Sequence, residues 1–266
     1  MSQNGQAAAR STDAADYQHV PRPVGAMPKE FAAGHVIPPH SHERAQLVFA
    51  EAGVMQVTTA AGVWVVPPSR ALWVPAGVEH SLRMTTAVSM RTLYIAPDRG
   101  VGLPARVAVV AVSPLLRELI LAAVALPVLY DAAGRGGRIM ALILDEIRAL
   151  AAMPLHLPMP RDARLAAIAE RILAAPAEAW PLERCAAELR CSARTLARRF
   201  RRETGLSFAA WRRHAKLMAA LTMLACGIKV TAVALECGYE TPSAFTLMFR
   251  RAMGMPPSRY FAAGVF

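Results

Sequence analysis

The most constraining feature of the sequence is an internal repeat in its last third, at 182–205 and 230–254. Each copy contains a short predicted helix with a small alanine, a tight turn, and a second predicted helix with two apolar anchors four residues apart. Because a small residue lets two helices cross closely and a tight turn reverses the chain, each copy predicts a helix-turn-helix motif. The anchors are Leu196 and Phe200 in the first copy and Phe245 and Phe249 in the second.

A long helix is predicted between the two copies, at 207–225, where the sequence has no glycine or proline. Nineteen residues span roughly 28 Å at the helical rise, while one turn of B-DNA measures roughly 34 Å. A rigid helix of this length would present the two motifs to successive major-groove faces on one side of a duplex. Ser192 is the predicted N-cap of the second helix in the first copy. The predicted helices of this half are 162–175, 182–189, 192–203, 207–225, 230–237, 242–253 and 257–262.

The positive charge of the chain is concentrated in the same region. The 266 residues carry a net charge of +11. Residues 1–160 contain 13 basic and 11 acidic side chains, whereas residues 161–266 contain 17 basic side chains, 15 of them arginine, and 8 acidic ones. A basic domain attached to a nearly neutral one favours an anionic partner for the basic domain. A codon bias toward arginine and alanine is the alternative explanation.

Short β-branched and aromatic runs dominate the N-terminal part. Glycine and proline separate them, and this spacing is typical of an all-β sandwich or barrel. Predicted strands include 47–49, 54–57, 63–66, 71–74 and 90–95.

The chain is predicted to divide at changes of period and composition. Residues 1–16 are a predicted disordered tail, 17–105 an all-β domain, and 106–153 a helical connector that either mediates dimerisation or covers one edge of the β domain. Three prolines within 153–160 exclude a helix interior, so 154–160 is a predicted linker. Residues 161–266 form the predicted DNA-binding domain.

Composition excludes several classes of protein. With 55% hydrophobic residues, the chain has enough apolar surface for full-sized cores. The longest apolar stretches are shorter than the roughly 20 residues of a membrane helix, and 1–16 lack the apolar core of a secretory signal. The four cysteines include no CxxC pair, which favours a reducing cytoplasm over a disulfide framework.

Residues 161–266 resemble the DNA-binding domain of AraC/XylS-type bacterial transcription regulators. The most specific matches lie at 233–245 and 249–260, in and after the second copy of the repeat. Two positions depart from the family pattern: Arg190 stands in the first turn where relatives commonly have glycine, and Leu247 stands where many have arginine. We therefore expect a strained or altered first turn and an apolar contact, such as one to a thymine methyl, at Leu247.

The resemblance implies which residues contact DNA. Arg194 and Arg198 are the leading candidates for reading bases, because arginine can bond guanine bidentately in the major groove. The predicted DNA-contacting residues are Arg194, Thr195, Ala197, Arg198, Arg199, Pro242, Ser243, Thr246, Leu247 and Arg250.

Two N-terminal segments, 34–53 and 75–80, resemble the two cupin motifs, which form a divalent-metal site inside a small β-barrel. The corresponding residues here are His40, His42, Gln46 and His80, with Gln46 where cupins usually have glutamate. Residues two apart on a strand point to the same face, and imidazoles suit zinc, iron, nickel or manganese. A divalent-metal site, a metal-free ligand pocket and a structural role for these residues all stay open.

The cupin-like part also resembles the sensor domain of the NimR-like subgroup of AraC-family regulators. Four aromatic residues either line a small apolar pocket in this domain or belong to its core. They are Phe49, Trp64, Trp73 and Tyr94.

Together the two resemblances predict an α+β multidomain fold with an N-terminal cupin-like β-barrel, a helical connector and a C-terminal all-α double helix-turn-helix domain. They imply a cytoplasmic one-component transcription regulator, not an enzyme. Its partners would be double-stranded promoter DNA, a small-molecule or metal effector, a second copy of the chain and RNA polymerase. The alternatives are a metal-dependent cupin enzyme of the dioxygenase or isomerase type with secondary DNA binding, and a non-specific architectural DNA-binding protein.

Overall fold

The computed structural model describes residues 11–68, 70–99, 104–150, 152–153 and 155–262. Its strands are β1 (Val24–Phe31), β2 (Val36–His40), β3 (Ala45–Ala52), β4 (Met55–Thr59), β5 (Gly62–Val66), β6 (Arg70–Val74), β7 (His80–Met84), β8 (Val88–Ile95), β9 (Ala108–Ala111), β10 (Ala152–Met153) and β11 (His156–Pro158). Its α-helices are α1 (Pro114–Ala125), α2 (Arg135–Arg148), α3 (Ala163–Ala174), α4 (Leu182–Glu188), α5 (Ala193–Thr204), α6 (Phe208–Ala225), α7 (Val230–Glu236), α8 (Pro242–Met253) and α9 (Pro257–Ala262).

The strands form two antiparallel sheets that share a buried core. The first sheet has the order β1-β8-β3-β6-β9-β10, and the second has the order β11-β5-β4-β7-β2. Val48 and Tyr94 of the first sheet and Val57 and Leu82 of the second are buried in this common core. The α+β arrangement predicted from the sequence, with a β domain followed by helices, is confirmed.

The first sheet is buried on both faces. Because side chains alternate along a strand, Val48 of β3 points into the core between the sheets while Leu47 and Phe49 point to the opposite face. That face is covered by α1 and α2, whose Leu116 and Ile143 are fully buried against it. The two helices therefore cover the β domain, and their outer faces are left to solvent.

Two predicted segments contain strands that the sequence analysis did not predict. The predicted helical connector at 106–153 includes β9 and β10, which extend the first sheet beyond β6. The predicted linker at 154–160 includes β11, which pairs with β5 through Leu157 and Val63. Prolines excluded a helix there correctly, but an edge strand tolerates proline. The domain boundary itself stays a prediction.

The described part of the N-terminal segment contains a short helix. Residues 1–10 of the predicted disordered tail lie outside the described residues. The rest of that prediction is wrong from residue 14 onward, because Ala14–Tyr17 form a 3₁₀ helix capped by Asp13. Tyr17 anchors it, since its ring is fully buried and stacks on Tyr94 at a centroid distance of 5.9 Å.

The C-terminal region consists of helices, as predicted. Ser192 caps α5 by accepting a hydrogen bond from the backbone amide of Thr195, and Ser207 caps α6 in the same way through Ala210. The anchors Leu196, Phe200, Phe245 and Phe249 are all fully buried. Among the described residues, no helix combines the length and the apolarity that crossing a bilayer requires.

Candidate DNA interface and histidine cluster

The second helix of the first motif, α5, turns its charged side outward. Burial of Leu196 and Phe200 fixes the rotation of the helix, and Arg194 and Arg198 are consequently exposed on the opposite side. Ala197 lies half-buried beside Arg198. Thr195 is also half-buried, and its hydroxyl is 2.9 Å from the hydroxyl of the capping Ser192.

Arg199, which the sequence analysis also assigned to the DNA face, lies on the flank of α5. Its Nη2 donates a hydrogen bond of 2.7 Å to Asp162 Oδ2. Asp162 also caps α3 by accepting from the amides of Arg164 and Leu165, and these bonds and the nearby arginine lower the pKa of its carboxyl. The DNA contact of Arg199 stays a prediction, and in this structure its guanidinium joins α5 to α3.

The second helix of the second motif, α8, leaves the predicted contact residues accessible. Thr241 caps it by accepting from the amide of Ala244. Leu247 is 51% exposed although it is a large apolar residue. This exposure leaves the Leu247 side chain accessible to an apolar group of a binding partner. The other predicted residues of α8 are exposed or half-buried: Pro242, Ser243, Thr246 and Arg250.

Three histidines meet at one end of the β domain. His40 ends β2, His80 begins β7 directly opposite it, and His42 follows in the next loop. One potential ligand atom from each histidine lies within 4.8 Å of the others. The ring centroids of His40 and His80 are 4.4 Å apart, and those of His40 and His42 are 4.8 Å apart. The structure thus assembles the predicted histidine set.

Backbone carbonyls fix the tautomers of two of these rings. His40 Nδ1 lies 2.8 Å from the carbonyl oxygen of Pro38, and His80 Nδ1 lies 2.9 Å from that of Val78. A carbonyl oxygen only accepts, so each Nδ1 carries the proton and each neutral ring has its lone pair on Nε2. This is the arrangement in which metal-binding histidines are usually held.

Burial disfavours the charged form of two rings of the cluster. Burial, together with the neighbouring rings of His40 and His80, lowers the pKa of His42 to about 4. Burial also lowers the pKa of His80, against the opposing effect of its bond to Val78. The Nε2 atoms of His42 and His80, which are buried without a hydrogen-bond partner among the described residues, are therefore available to bind a cation.

Three buried polar atoms at this end of the domain have no hydrogen-bond partner among the described residues. They are His42 Nε2, His80 Nε2 and Gln46 Oε1. The other end of the Gln46 amide donates to the Tyr94 hydroxyl at 3.4 Å, and the Tyr94 ring lies 5.2 Å from that of His42. Gln46 is therefore joined to the histidines through Tyr94. Unpaired buried polar atoms are rare in native structures and call for a partner.

The four aromatic residues predicted to line one pocket are divided between two cores. Trp64 and Tyr94 point into the core between the sheets, whereas Phe49 and Trp73 pack under α1 and α2. The prediction of a shared pocket is therefore wrong, because Phe49 and Trp73 fall on the opposite pleat of their strands. Of the four, Tyr94 has a ring contact with the histidine cluster.

The sequence analysis missed the contact between β11 and the C-terminal helices. The side chain of Leu157 is buried in the core formed by α3, α4, α5 and α6. Trp211 Nε1 of α6 donates a hydrogen bond of 2.6 Å to the carbonyl oxygen of Pro158. The alternation of leucine and proline in this segment was the available signal, but its proline content favoured a linker.

Comparisons with known proteins agree with this architecture. The AraC-like ligand binding domain family matches residues 31–193, and a helix-turn-helix domain family matches residues 185–263. The HTH-type transcriptional regulator NimR of Escherichia coli (strain K12) is 35% identical over 225 residues, which cover 85% of this chain and 82% of that protein. The chain belongs to the AraC family of transcription regulators. It is a DNA-binding regulator with a ligand-binding domain, as the two sequence resemblances predicted.

Further similarities extend to one more curated regulator and to solved structures. The regulator RipA of Corynebacterium glutamicum is 38% identical over 104 residues, which cover 39% of this chain and 31% of that protein. A structure of ToxT from Vibrio cholerae is 10% identical, with 91% of this chain and 98% of that chain covered at a TM-score of 0.38. The DNA-binding domain of AdpA in complex with a target DNA is 33% identical, with 37% of this chain and 89% of that chain covered at a TM-score of 0.35.

Proposed function

We propose that α5 and α8 are the two recognition helices and that each enters a major groove of promoter DNA. Arg194 and Arg198 supply the base contacts of α5, since both are exposed beside the buried anchors. Thr195 and Ala197 border them. The contacts of α8 come from Pro242, Ser243, Thr246, Leu247 and Arg250. The single observation that carries this assignment is that burial of the anchor pairs leaves these side chains facing outward in both motifs.

The helix between the motifs sets their separation. With 18 residues, α6 is about 27 Å long, close to the ~34 Å of one DNA turn. Arginines outside the base-reading set, such as Arg201 and Arg202 on the exposed side of α5, would contact phosphates. Each such contact steepens the salt dependence of binding.

The test is binding of the full chain to the DNA that flanks its own gene, measured at two salt concentrations against a scrambled duplex of the same composition. We expect tighter binding to the flanking DNA, and weaker binding to both duplexes at the higher salt concentration. Equal affinity for the two duplexes would contradict sequence-specific recognition and favour the architectural alternative.

We further propose that the histidine cluster is the effector site and that its ligand is a divalent cation of the zinc type. The donor set fits such an ion, because His40, His42 and His80 offer ligand atoms within 4.8 Å of one another. Zn–N bonds are about 2.0–2.1 Å long, so a modest contraction would bring all three onto one ion. Two of the unpaired buried atoms, His42 Nε2 and His80 Nε2, would then acquire a partner.

A bound cation would supply a fixed positive charge and an open coordination position for a small-molecule effector. Gln46 contributes no negative charge, so the site lacks the carboxylate that cupins usually have. The residues of this chain hold the rings in place: Pro38 and Val78 orient His40 and His80 through their carbonyl oxygens. We expect weaker metal affinity than in a site with a carboxylate ligand.

Zinc titration of the full chain by calorimetry tests this assignment. We expect one equivalent of zinc to bind, and His80→Ala to abolish binding. His35→Ala is the matched control, since His35 is exposed and lies outside the cluster. Zinc binding that survives in His80→Ala would overturn the site.

The relatives are named transcriptional regulators, which supports a regulator rather than a metal-dependent enzyme. Turnover of a candidate substrate by the iron-loaded protein would revive the enzyme alternative. We also propose that the chain acts in the cytoplasm, where RNA polymerase is its partner at the promoter.

We propose that the protein is a homodimer held through α1 and α2. In support, Leu115 of α1 is 49% exposed and Leu142 of α2 is 41% exposed, although the opposite faces of both helices are buried against the sheet. A dimer would suit repeated half-sites on DNA. Sedimentation of Leu142→Glu against the wild type tests this, and an unchanged mass would contradict it.

A further inference from the structure

One row of paired residues crosses the second sheet from the histidine cluster to the C-terminal helices. His40 pairs with His80, His80 with Thr59, Thr59 with Gly62, and Gly62 with Pro158. Each step is a direct antiparallel partner, so the five residues lie side by side across five strands. With neighbouring strands about 4.8 Å apart, the row is roughly 19 Å long.

The far end of the row contacts α6, which packs against the first helix-turn-helix motif. The carbonyl oxygen of Pro158 accepts the 2.6 Å hydrogen bond from Trp211 Nε1. Trp211 is fully buried, and its ring meets that of Phe200 edge-on at a centroid distance of 5.4 Å. Since Phe200 is an anchor of α5, one side chain separates the row from a recognition helix.

The row has little freedom to deform at its last step. Gly62 has a φ of 148°, and a Cβ atom there would overlap the carbonyl oxygen of Leu157 and crowd His156 Nε2. His156 is also fixed, because its ring stacks on Trp64 at a centroid distance of 4.5 Å. A close-packed contact of this kind transmits a displacement rather than absorbing it.

We propose that this row couples the histidine cluster to DNA affinity, with Trp211 as the positioning residue that connects the sheet to α5 and α6. The proposal rests on the proposed effector role of the cluster. When His80 changes position on ligand binding, β7, β4, β5 and β11 shift together, and the hydrogen bond to Trp211 carries the shift to α6. A ligand that prefers one of the two arrangements then changes DNA affinity.

Trp211→Phe tests the coupling, because phenylalanine keeps the apolar ring and removes the N–H donor. Trp180→Phe is the matched control. Trp180 belongs to the same core, but its Nε1 donates to Ala175 within the C-terminal helices. For the full-length wild type and Trp180→Phe, we expect zinc chloride to change the dissociation constant for flanking DNA by about fivefold or more. For Trp211→Phe we expect zinc chloride to change this dissociation constant by less than about twofold, because the coupling is lost.

A second pair of variants disturbs the row without replacing a side chain of the C-terminal helices. Gly62→Ala pushes β11 away from β5. The control is Gly34→Ala: Gly34 also has a positive φ, 80°, but no atom lies within 4 Å of a Cβ added there. We expect Gly62→Ala alone to lose the zinc response. Thermal unfolding of all four variants identifies any that fail to fold. If one pair contains such a variant, the zinc response of the other pair tests the coupling.

The indole N–H resonances give a readout that does not depend on zinc. We expect His80→Ala to shift the Trp211 indole signal in a ¹⁵N correlation spectrum and to leave that of Trp180 unchanged. A wild type that binds no zinc would contradict the proposed effector but not the row, which this shift still tests. An unshifted Trp211 signal, or a full zinc response in Trp211→Phe, would overturn the coupling.

Discussion

Arg190 and Gly238 occupy equivalent turns of the two helix-turn-helix motifs and share a left-handed backbone, with φ values of 54° and 67°. In each motif the residue lies between the first and second helices, at the sharp reversal that the fold requires. Gly238 suits this conformation, and a Cβ atom there would also crowd the carbonyl oxygen of Ala177. Arg190 adopts it at a steric cost of roughly 1–2 kcal/mol. The altered first turn expected from the sequence is thus a strained copy of the second.

Replacing Arg190 with glycine should stabilise the protein. Arg190 is exposed, so the change removes strain without removing a buried contact. We expect Arg190→Gly to raise the free energy of unfolding by about 0.5–1 kcal/mol, after the greater flexibility of glycine in the unfolded chain is subtracted. Denaturant unfolding measures the difference. Gly238→Ala should lower stability in the same assay, and a stabilising Gly238→Ala would contradict this account of the turns.

Two neighbouring arginines of α5 should behave differently. Arg198→Ala should weaken binding to the flanking DNA by about 1–3 kcal/mol with little loss for a scrambled duplex, because it removes a base contact. Arg199→Ala breaks the ion pair with Asp162 and should lower the free energy of unfolding by at most about 1 kcal/mol. Fluorescence anisotropy and denaturant unfolding separate the two effects. The assignment fails if Arg199→Ala affects sequence discrimination as strongly as Arg198→Ala.

Leu247 should contribute to DNA binding without contributing charge. Truncation in Leu247→Ala removes apolar contact area, and we expect the affinity for the flanking DNA to fall by roughly 1 kcal/mol. The slope of affinity against salt concentration should stay the same, since no phosphate contact is lost. Titrations at three salt concentrations measure both quantities. A changed slope would place Leu247 away from the bases.

Phe49 should affect stability rather than effector binding. It is buried under α1 and α2, on the face of β3 opposite the histidine cluster. Phe49→Ala should therefore lower the free energy of unfolding by about 3–5 kcal/mol. The folded fraction should bind zinc as the wild type does. Calorimetry on the folded variant measures its zinc affinity. Loss of zinc binding would show that Phe49 contributes to the effector site.

The sequence predicted the parts of the fold that depend on local pattern. The repeat located both motifs, and Ser192 identified a helix start, because helix period and capping are local properties. The direction of a side chain on a strand is also a local property. It did not separate Phe49, which packs under α1 and α2, from Tyr94, which lies between the sheets, because the sequence does not show that the first sheet is covered on both faces. Arg199 and Asp162 illustrate the other limit: their pairing depends on how α3 packs against α5.

The members of the histidine cluster could be predicted from the sequence, but the tautomers of their rings could not. The motif placed His40 and His80 in one site, whereas the tautomers depend on the carbonyl oxygens of Pro38 and Val78, which only the folded backbone brings into position. The strand β11 was not predicted because three residues are too few to show the alternation of a β-strand. Its pairing with β5 is a long-range contact.

The strand β11 also determines where this protein can be divided. A C-terminal fragment that starts at residue 161 would lack Leu157 from its own core and would leave the Trp211 N–H buried without an acceptor. An N-terminal fragment cut before β11 would expose β5 as an open edge, along which other chains could pair and aggregate. Because β11 contacts both halves, a graft of the C-terminal half onto another regulator should include residues 155–158, and the N-terminal half should receive a replacement strand.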